Sequence, residues 1–239
     1  MPITLRHLPA GRLILLFSLC TSFSVCTLFS SASVAAREAP WVGTTLNGAP
    51  CHGLAPGFGP YAYLDRNRLA DKLKLVEGAH FDMNVESLTG GAKNRIDNPL
   101  PDLDYTLRAF PNHHRALNTL ISYELRKNKA FTSKRLSSAE CYLQRAVNFS
   151  PNDATAHMLY AIYLHRGLHY TDAMEQYETA RKLSPNNPQI MYNYSLLLVD
   201  LKRYDEARSH AVSLYAQGFP LQGLKKRLRA VGAWDKQAS

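Results

Sequence analysis

The stretch ATAHMLYAIYLHRGLHYTDAMEQYETARKLSPNN, running from Ala154 to Asn187, recurs in outline along the chain at a fixed interval. Ala139, Ala173 and Ala207 are 34 residues apart, as are Tyr160 and Tyr194, Leu164 and Leu198, Tyr170 and Tyr204, Ala146 and Ala180, and Pro151 and Pro185. A period of that length marks stacked helical units, each of which can bury its apolar face only against its neighbours. Small alanines let the two helices of a unit approach closely, and the larger residues beside them fill the space between units. Proline closes the second helix, because the residue before it is pushed out of the helical region.

The spacing of Ala173, Tyr177, Ala180 and Pro185 resembles the second helix of the tetratricopeptide repeat, a helix-turn-helix unit. The resemblance implies an all-α fold: a short solenoid of about three repeats at 120–153, 154–187 and 188–221, inside an array spanning 112–234. The first unit has Ala139, Ala146 and Pro151 but a charged Arg126 where the first helix usually carries a large apolar residue. The third keeps Tyr194, Ser195, Leu198, Tyr204 and Ala207, but has Leu214 where the second alanine belongs and its proline one residue late, at Pro220. That departure leaves the packing of its second helix open.

The inward-facing positions of the family, carried over, give a partner groove of Glu124, Asn128, Met158, Ile162, His165, Tyr192, Leu196 and Val199. These are mostly apolar, and the Lys/Asn/Arg set with which some members clamp a C-terminal carboxylate is missing. The resemblance therefore implies a hydrophobic or aromatic ligand segment. Equally, the chain's own N-terminal region can fill the groove. Asp102 to Leu117, with Cys51-His52 and Phe58-Gly59-Pro60, also resembles exported, uncharacterised repeat proteins of proteobacteria.

After Pro220, Leu221, Leu224, Leu228, Val231 and Trp234 share one helical face, with Lys225, Lys226, Arg227 and Arg229 mostly opposite. This reads as the cap that covers the last apolar face of an array. The other reading is a basic amphipathic helix in contact with an anionic membrane surface. Residues 235–239 form a tail.

The N-terminal end has a different texture. Arg6 and Arg12 precede an uncharged apolar run from Leu13 to Phe29, and small residues follow to Val34-Ala35-Ala36. This is the pattern of a signal peptide at 1–36 cleaved near Ala36, which places the mature protein in the periplasm or outside the cell. Ser18, Thr21, Ser22, Ser24 and Thr27 dilute the run below what a spanning anchor needs. Cleavage removes Cys20 and Cys26, leaving Cys51 and Cys141. An even pair in an exported chain suggests a disulfide, and such a link closes a loop of about 90 residues. Two buried thiols are the alternative.

The whole chain of 239 residues has 28 basic and 19 acidic residues, a formal net charge of +9. Loss of two arginines and no acid leaves the excess in place. It favours acidic surfaces, but apart from the last helix the basic residues are scattered, so nucleic acid is not the expected partner.

Between 37 and 111 the chain is rich in breakers. Gly48 to Pro60 holds four glycines and three prolines and must be loop. Leu69, Leu73 and Val76 predict a helix between Asn67 and Leu88, while Ala92 to Pro111, with three prolines, is expected to lie extended.

Cys51-His52 suggests a nucleophile and His80 a metal ligand, since Glu77 precedes it at i−3. Adjacent residues seldom align as thiolate and base, and the Glu-x-x-His spacing occurs once where di-iron sites use two. His113, His114, His165 and His169 lack zinc-site spacing, and the glycine pairs lack the end of a phosphate loop. The expectation is a non-catalytic adaptor without cofactor or metal. An N-terminal Cys/His enzyme or metal-binding protein is the rival.

Overall fold

The computed structural model describes residues 38–127 and 136–234, with the side chain of Lys127 excluded. The segment read from the sequence as a signal peptide, Asn128 and the tail at 235–239 lie outside the described residues. Among these the chain forms ten α-helices and no β-strand: α1 Ala70–His80, α2 Met83–Ser87, α3 Leu100–Ala109, α4 His114–Lys127, α5 Ala139–Phe149, α6 Ala154–Arg166, α7 Tyr170–Leu183, α8 Pro188–Asp200, α9 Tyr204–Ala216 and α10 Gly223–Ala230. Helices α4 to α9 form three consecutive hairpins.

The 34-residue punctuation has a visible cause in the backbone. Asp153 and Asn187, 34 apart, cap α6 and α8, each accepting two N–H groups of the first turn. Leu168 and Lys202, also 34 apart, adopt the left-handed conformation that ends the first helix of their units. After them, His169 N–H reaches Leu164 C=O and Arg203 N–H reaches Leu198 C=O, using carbonyls the helix leaves free.

Packing answers the question left by Leu214. In α7, Tyr177 and Ala180 are fully buried; the residues 34 further on, Ala211 and Leu214, are buried too. Large-then-small has become small-then-large, so the interface keeps its volume while the order is exchanged. The same core takes in Leu224 and Leu228 of α10. Leu221 and Val231 remain exposed, so the apolar face of the last helix is narrower than its sequence suggests.

The first hairpin keeps the period in its second helix but not in its first. The connection between α4 and α5 spans residues 128–138, whereas 167–169 and 201–203 suffice in the next two units. α4 accordingly begins at His114, ahead of the 120 expected from a uniform period. His113 stands where Asp153 and Asn187 stand in the later units, and its ring does their work: Nδ1 accepts the Ala116 N–H at 3.1 Å. Asn112, beside it, accepts the Tyr63 N–H and donates to Asp153.

Residues 100–109 are helical, not extended. Proline is harmless in a first turn, where the N–H has no intrahelical partner, so Pro101 opens α3 instead of breaking it. Leu103 and Leu107 then enter one core with Leu117, Leu120, Tyr142 and Leu143. The helix between Asn67 and Leu88 is present as α1 and α2, and 48–60 contains none. Thus α1–α3 extend the helical stack at its N-terminal end.

Residues 38–58 form an arm laid along α5. Cys51 and Cys141 are joined by a disulfide, with Cα atoms 5.3 Å apart. Arg145, fully buried, donates from Nε to Ala39 C=O at 2.7 Å and from Nη1 to Leu107 C=O at 2.8 Å, beneath the Trp41 ring. Trp41 meets Tyr142 edge-on, the Glu140 carboxylate accepts the Leu46 N–H, and Gln144 donates to Thr44 C=O.

Candidate functional site

The first helices of the three hairpins line a trough. One end is a cavity of about 440 Å³ bounded by Ile121 and Ser122 of α4, Ile162 and His165 of α6, Leu196 and Asp200 of α8, and Arg227 of α10. A second hollow of about 370 Å³ shares Asn118 and Ser122 with it and continues past Arg126 to Glu86 and Leu88. No residue of the N-terminal arm lines either one. Of the N-terminal region 37–111, Glu86 and Leu88 border the second hollow, while the arm at 38–58 lies on α5, the second helix of its hairpin, and not in the trough.

The expected groove residues divide. Ile162, His165 and Leu196 line the 440 Å³ cavity. Met158, Tyr192 and Val199 are buried in the core; Tyr192 packs against Phe219 with ring centroids 5.1 Å apart. Glu124 is also buried, and accepts the Ala139 N–H at 2.6 Å and the Tyr163 hydroxyl at 3.0 Å. Burial pushes its pKa up, against those two hydrogen bonds. It ties α4 to the start of α5 and to α6, and is not free for a ligand.

The reason is register. Because α4 starts early, Glu124 matches Leu164 and Leu198, which are buried as it is. The structural equivalents of Met158 and Ile162 are Asn118 and Ser122, six residues before the positions a uniform period assigns. The trough is consequently more polar than expected, with Ile121, Ile162 and Leu196 as its apolar floor and Asn118, Ser122, Asn193, Arg126 and Arg166 among its polar groups. A clue was present in the sequence: Arg126, offset like the rest of α4, matches Arg166 and Asp200 at the ends of the three first helices.

At the C-terminal end of the trough, His165 Nε2 lies 2.7 Å from Asp200, and Arg227 of α10 also pairs with that carboxylate. Burial pushes Asp200 up, but the hydrogen bonds from Arg227 and His165 outweigh it and hold its pKa below the ordinary value. Burial likewise holds His165 below its ordinary value despite the carboxylate. The cap helix is thus fastened to α8 through Asp200, which in turn holds His165 of α6.

His80, His113 and His114 have structural partners. His113 accepts at Nδ1, so Nε2 carries the proton and donates to Glu77 at 3.0 Å. His114 pairs with Asp153, which burial pushes up and the bonds from His114, Asn112 and Ala156 N–H bring below its usual value. His80 pairs with Asp102 and stacks on Tyr105, while Glu77 faces His113 and Arg115, so the Glu-x-x-His pair does not converge on one point. Among the described residues no group of three His, Cys, Asp or Glu is placed to hold a metal. Cys51 is in the disulfide, and a sulfur so bonded is no thiolate nucleophile. Lys225 stacks over Trp234 and Tyr215, and none of the described helices is long and apolar enough to cross a membrane.

Capped, stacked hairpins with a trough along their first helices define a helical-repeat protein of the tetratricopeptide type. Residues 132–213 match the family model described as anaphase-promoting complex, cyclosome, subunit 3, which is built from such repeats. No curated protein matches the chain.

Proposed function

We propose that this chain is a periplasmic or secreted adaptor that holds a segment of another envelope protein in the trough across α4, α6 and α8 and carries no catalysis of its own. Arrays of this type bind protein segments, and the observation that carries the reading is the open trough itself. Cys51 is held in a disulfide, and His80, His113, His114 and His165 are engaged in a cap and in pairs with carboxylates. Export is supported by two independent features: the basic and apolar N-terminus of the sequence, and a bonded pair of cysteines, which persists in oxidising compartments.

Two measurements test it. A photo-crosslinking residue at Ser122 in living cells should capture an envelope protein, whereas the same residue at Lys182, on the exposed side of α7, should not. Equal capture at both places, or capture of cytoplasmic proteins alone, defeats the adaptor reading. Fractionation should place the chain outside the cytoplasm with Cys51 and Cys141 protected from thiol reagents until reduced; a free thiol in a cytoplasmic fraction defeats the export reading.

A further inference from the structure

The trough carries an imbalance of charge that goes further than its shape. Its acids are mostly spent within the protein. Asp200 is paired with Arg227 and His165, Glu86 with Arg115, and Glu124 is buried against Ala139 N–H and the Tyr163 hydroxyl. Asp97 is the exception, in a hollow it shares with Arg126, Pro99 and Tyr123, with no ion pair to Arg126 among the described residues.

The cations are not all spent. Arg126 and Arg166 occupy matching positions at the ends of α4 and α6, are exposed, and have no hydrogen bond or ion pair among the described residues. Between them lie Asn118 and Ser122, the two residues common to both hollows, whose side chains are likewise without a partner there. Two free guanidiniums therefore flank free amide and hydroxyl groups, above a floor of Ile121, Ile162 and Leu196. Guanidinium forks match carboxylates with two parallel hydrogen bonds, and amide and hydroxyl groups suit a peptide backbone.

We infer that the occupant of the trough is an acidic protein segment, with Asp or Glu side chains meeting Arg126 and Arg166 and apolar side chains on the Ile121–Ile162–Leu196 floor. This rests on the reading of the trough as the partner-binding face and names the chemistry of the partner. The basic balance, +9 for the whole chain and still positive without Arg6 and Arg12, adds a long-range attraction for such a segment that salt weakens.

The test is selection of random 12-residue peptides displayed on phage against the full chain, followed by affinity measurement and hydrogen-exchange mapping of synthetic copies. Acid-rich binders are expected, protecting α4 and α6 and weakened about tenfold by Arg126→Glu with Arg166→Glu. Lys182→Glu changes the charge of α7 away from the trough and should leave binding within about twofold. Both arginines are exposed and unpaired, so an unchanged melting temperature for the double variant separates lost binding from lost fold. Peptides that protect α4 and α6 without acid enrichment, or that ignore the double variant, overturn the acidic partner while leaving the trough reading intact. Peptides that bind elsewhere, or a failure to select any, overturn both.

Discussion

The interior is built differently on the two sides of His157. Fourteen of the fifteen buried polar or charged residues among those described lie from Asp102 to His157; beyond it only Ser195 is buried. The N-terminal half is joined by single polar fastenings: Arg145 on two carbonyls, Glu124 on an N–H and a hydroxyl, Asp102 on Ala92 N–H, Arg95 and His80. The C-terminal half is alanine against leucine and tyrosine, repeated. A buried polar group accepts one arrangement, since losing its partner costs the full desolvation of what remains. An apolar interface accepts exchanges, as Tyr177 and Ala180 giving way to Ala211 and Leu214 demonstrates.

That contrast can be broken or sharpened by substitution. The largest effect is expected from Tyr177→Ala, which empties a fully buried site and should destabilise the C-terminal half by about 3–5 kcal/mol in urea unfolding. Hydrogen exchange should accelerate in α6–α9 before α3; simultaneous loosening of both would mean that the halves unfold as one unit. Next comes Cys51→Ser with Cys141→Ser, which opens a link across 90 residues and should lower stability by about 2–5 kcal/mol. Dithiothreitol should mimic it in the native chain, and an unchanged melting temperature would contradict the arm's role.

Glu124→Ala leaves the Ala139 N–H and the Tyr163 hydroxyl unpaired, for an expected loss of about 1–3 kcal/mol. Glu124→Gln keeps an acceptor and should recover most of it. If Gln is as damaging as Ala, the carboxylate has a role beyond accepting those two bonds.

The dependence on pH should be gentler. Burial holds His113 below its ordinary value of 6.5, and protonation at Nδ1 would remove the acceptor that caps α4. The unfolded chain therefore takes up this proton first. The contribution of His113 is complete above pH 6.5, declines as the pH falls toward the folded value, and is level below that. His165 and His210 shift in the same direction, so His113→Asn, which retains a capping acceptor, should flatten only part of the slope. Glu77, held below 4.5 by its bond from His113, acts in a lower window and is lost as pH falls through its folded value. Smallest of all, Lys226→Ala on the exposed side of α10 should stay within about 0.5 kcal/mol.

How legible each part was follows from the same division. The alanines, tyrosines and prolines set at 34 residues showed the second and third hairpins, because their contacts repeat with the chain, and the apolar face after Pro220 showed the cap. The trough was legible in part. Ile162, His165 and Leu196 follow the period, but Asn118, Ser122 and Arg126 do not, since eleven residues between α4 and α5 shift the first helix by nearly two turns. α3 was hidden by prolines that bracket it, and His113 by being a histidine where later units use Asp153 and Asn187.

By itself, then, the order of residues determined the helical class, the repeat, its punctuation and the cysteines available to pair. Those properties depend on neighbours within one unit, where spacing along the chain is also spacing in space. The tertiary structure alone decided that the arm lies on α5 and not in the trough, that Glu124 turns inward, and that Arg126 and Arg166 have no partner among the described residues. Leu46 with Glu140 and Ala39 with Arg145 join residues 94 and 106 positions apart, and no periodicity carries information across such a distance. Their partners are settled only when packing brings the segments together and burial makes an unmatched polar group too unfavourable to leave.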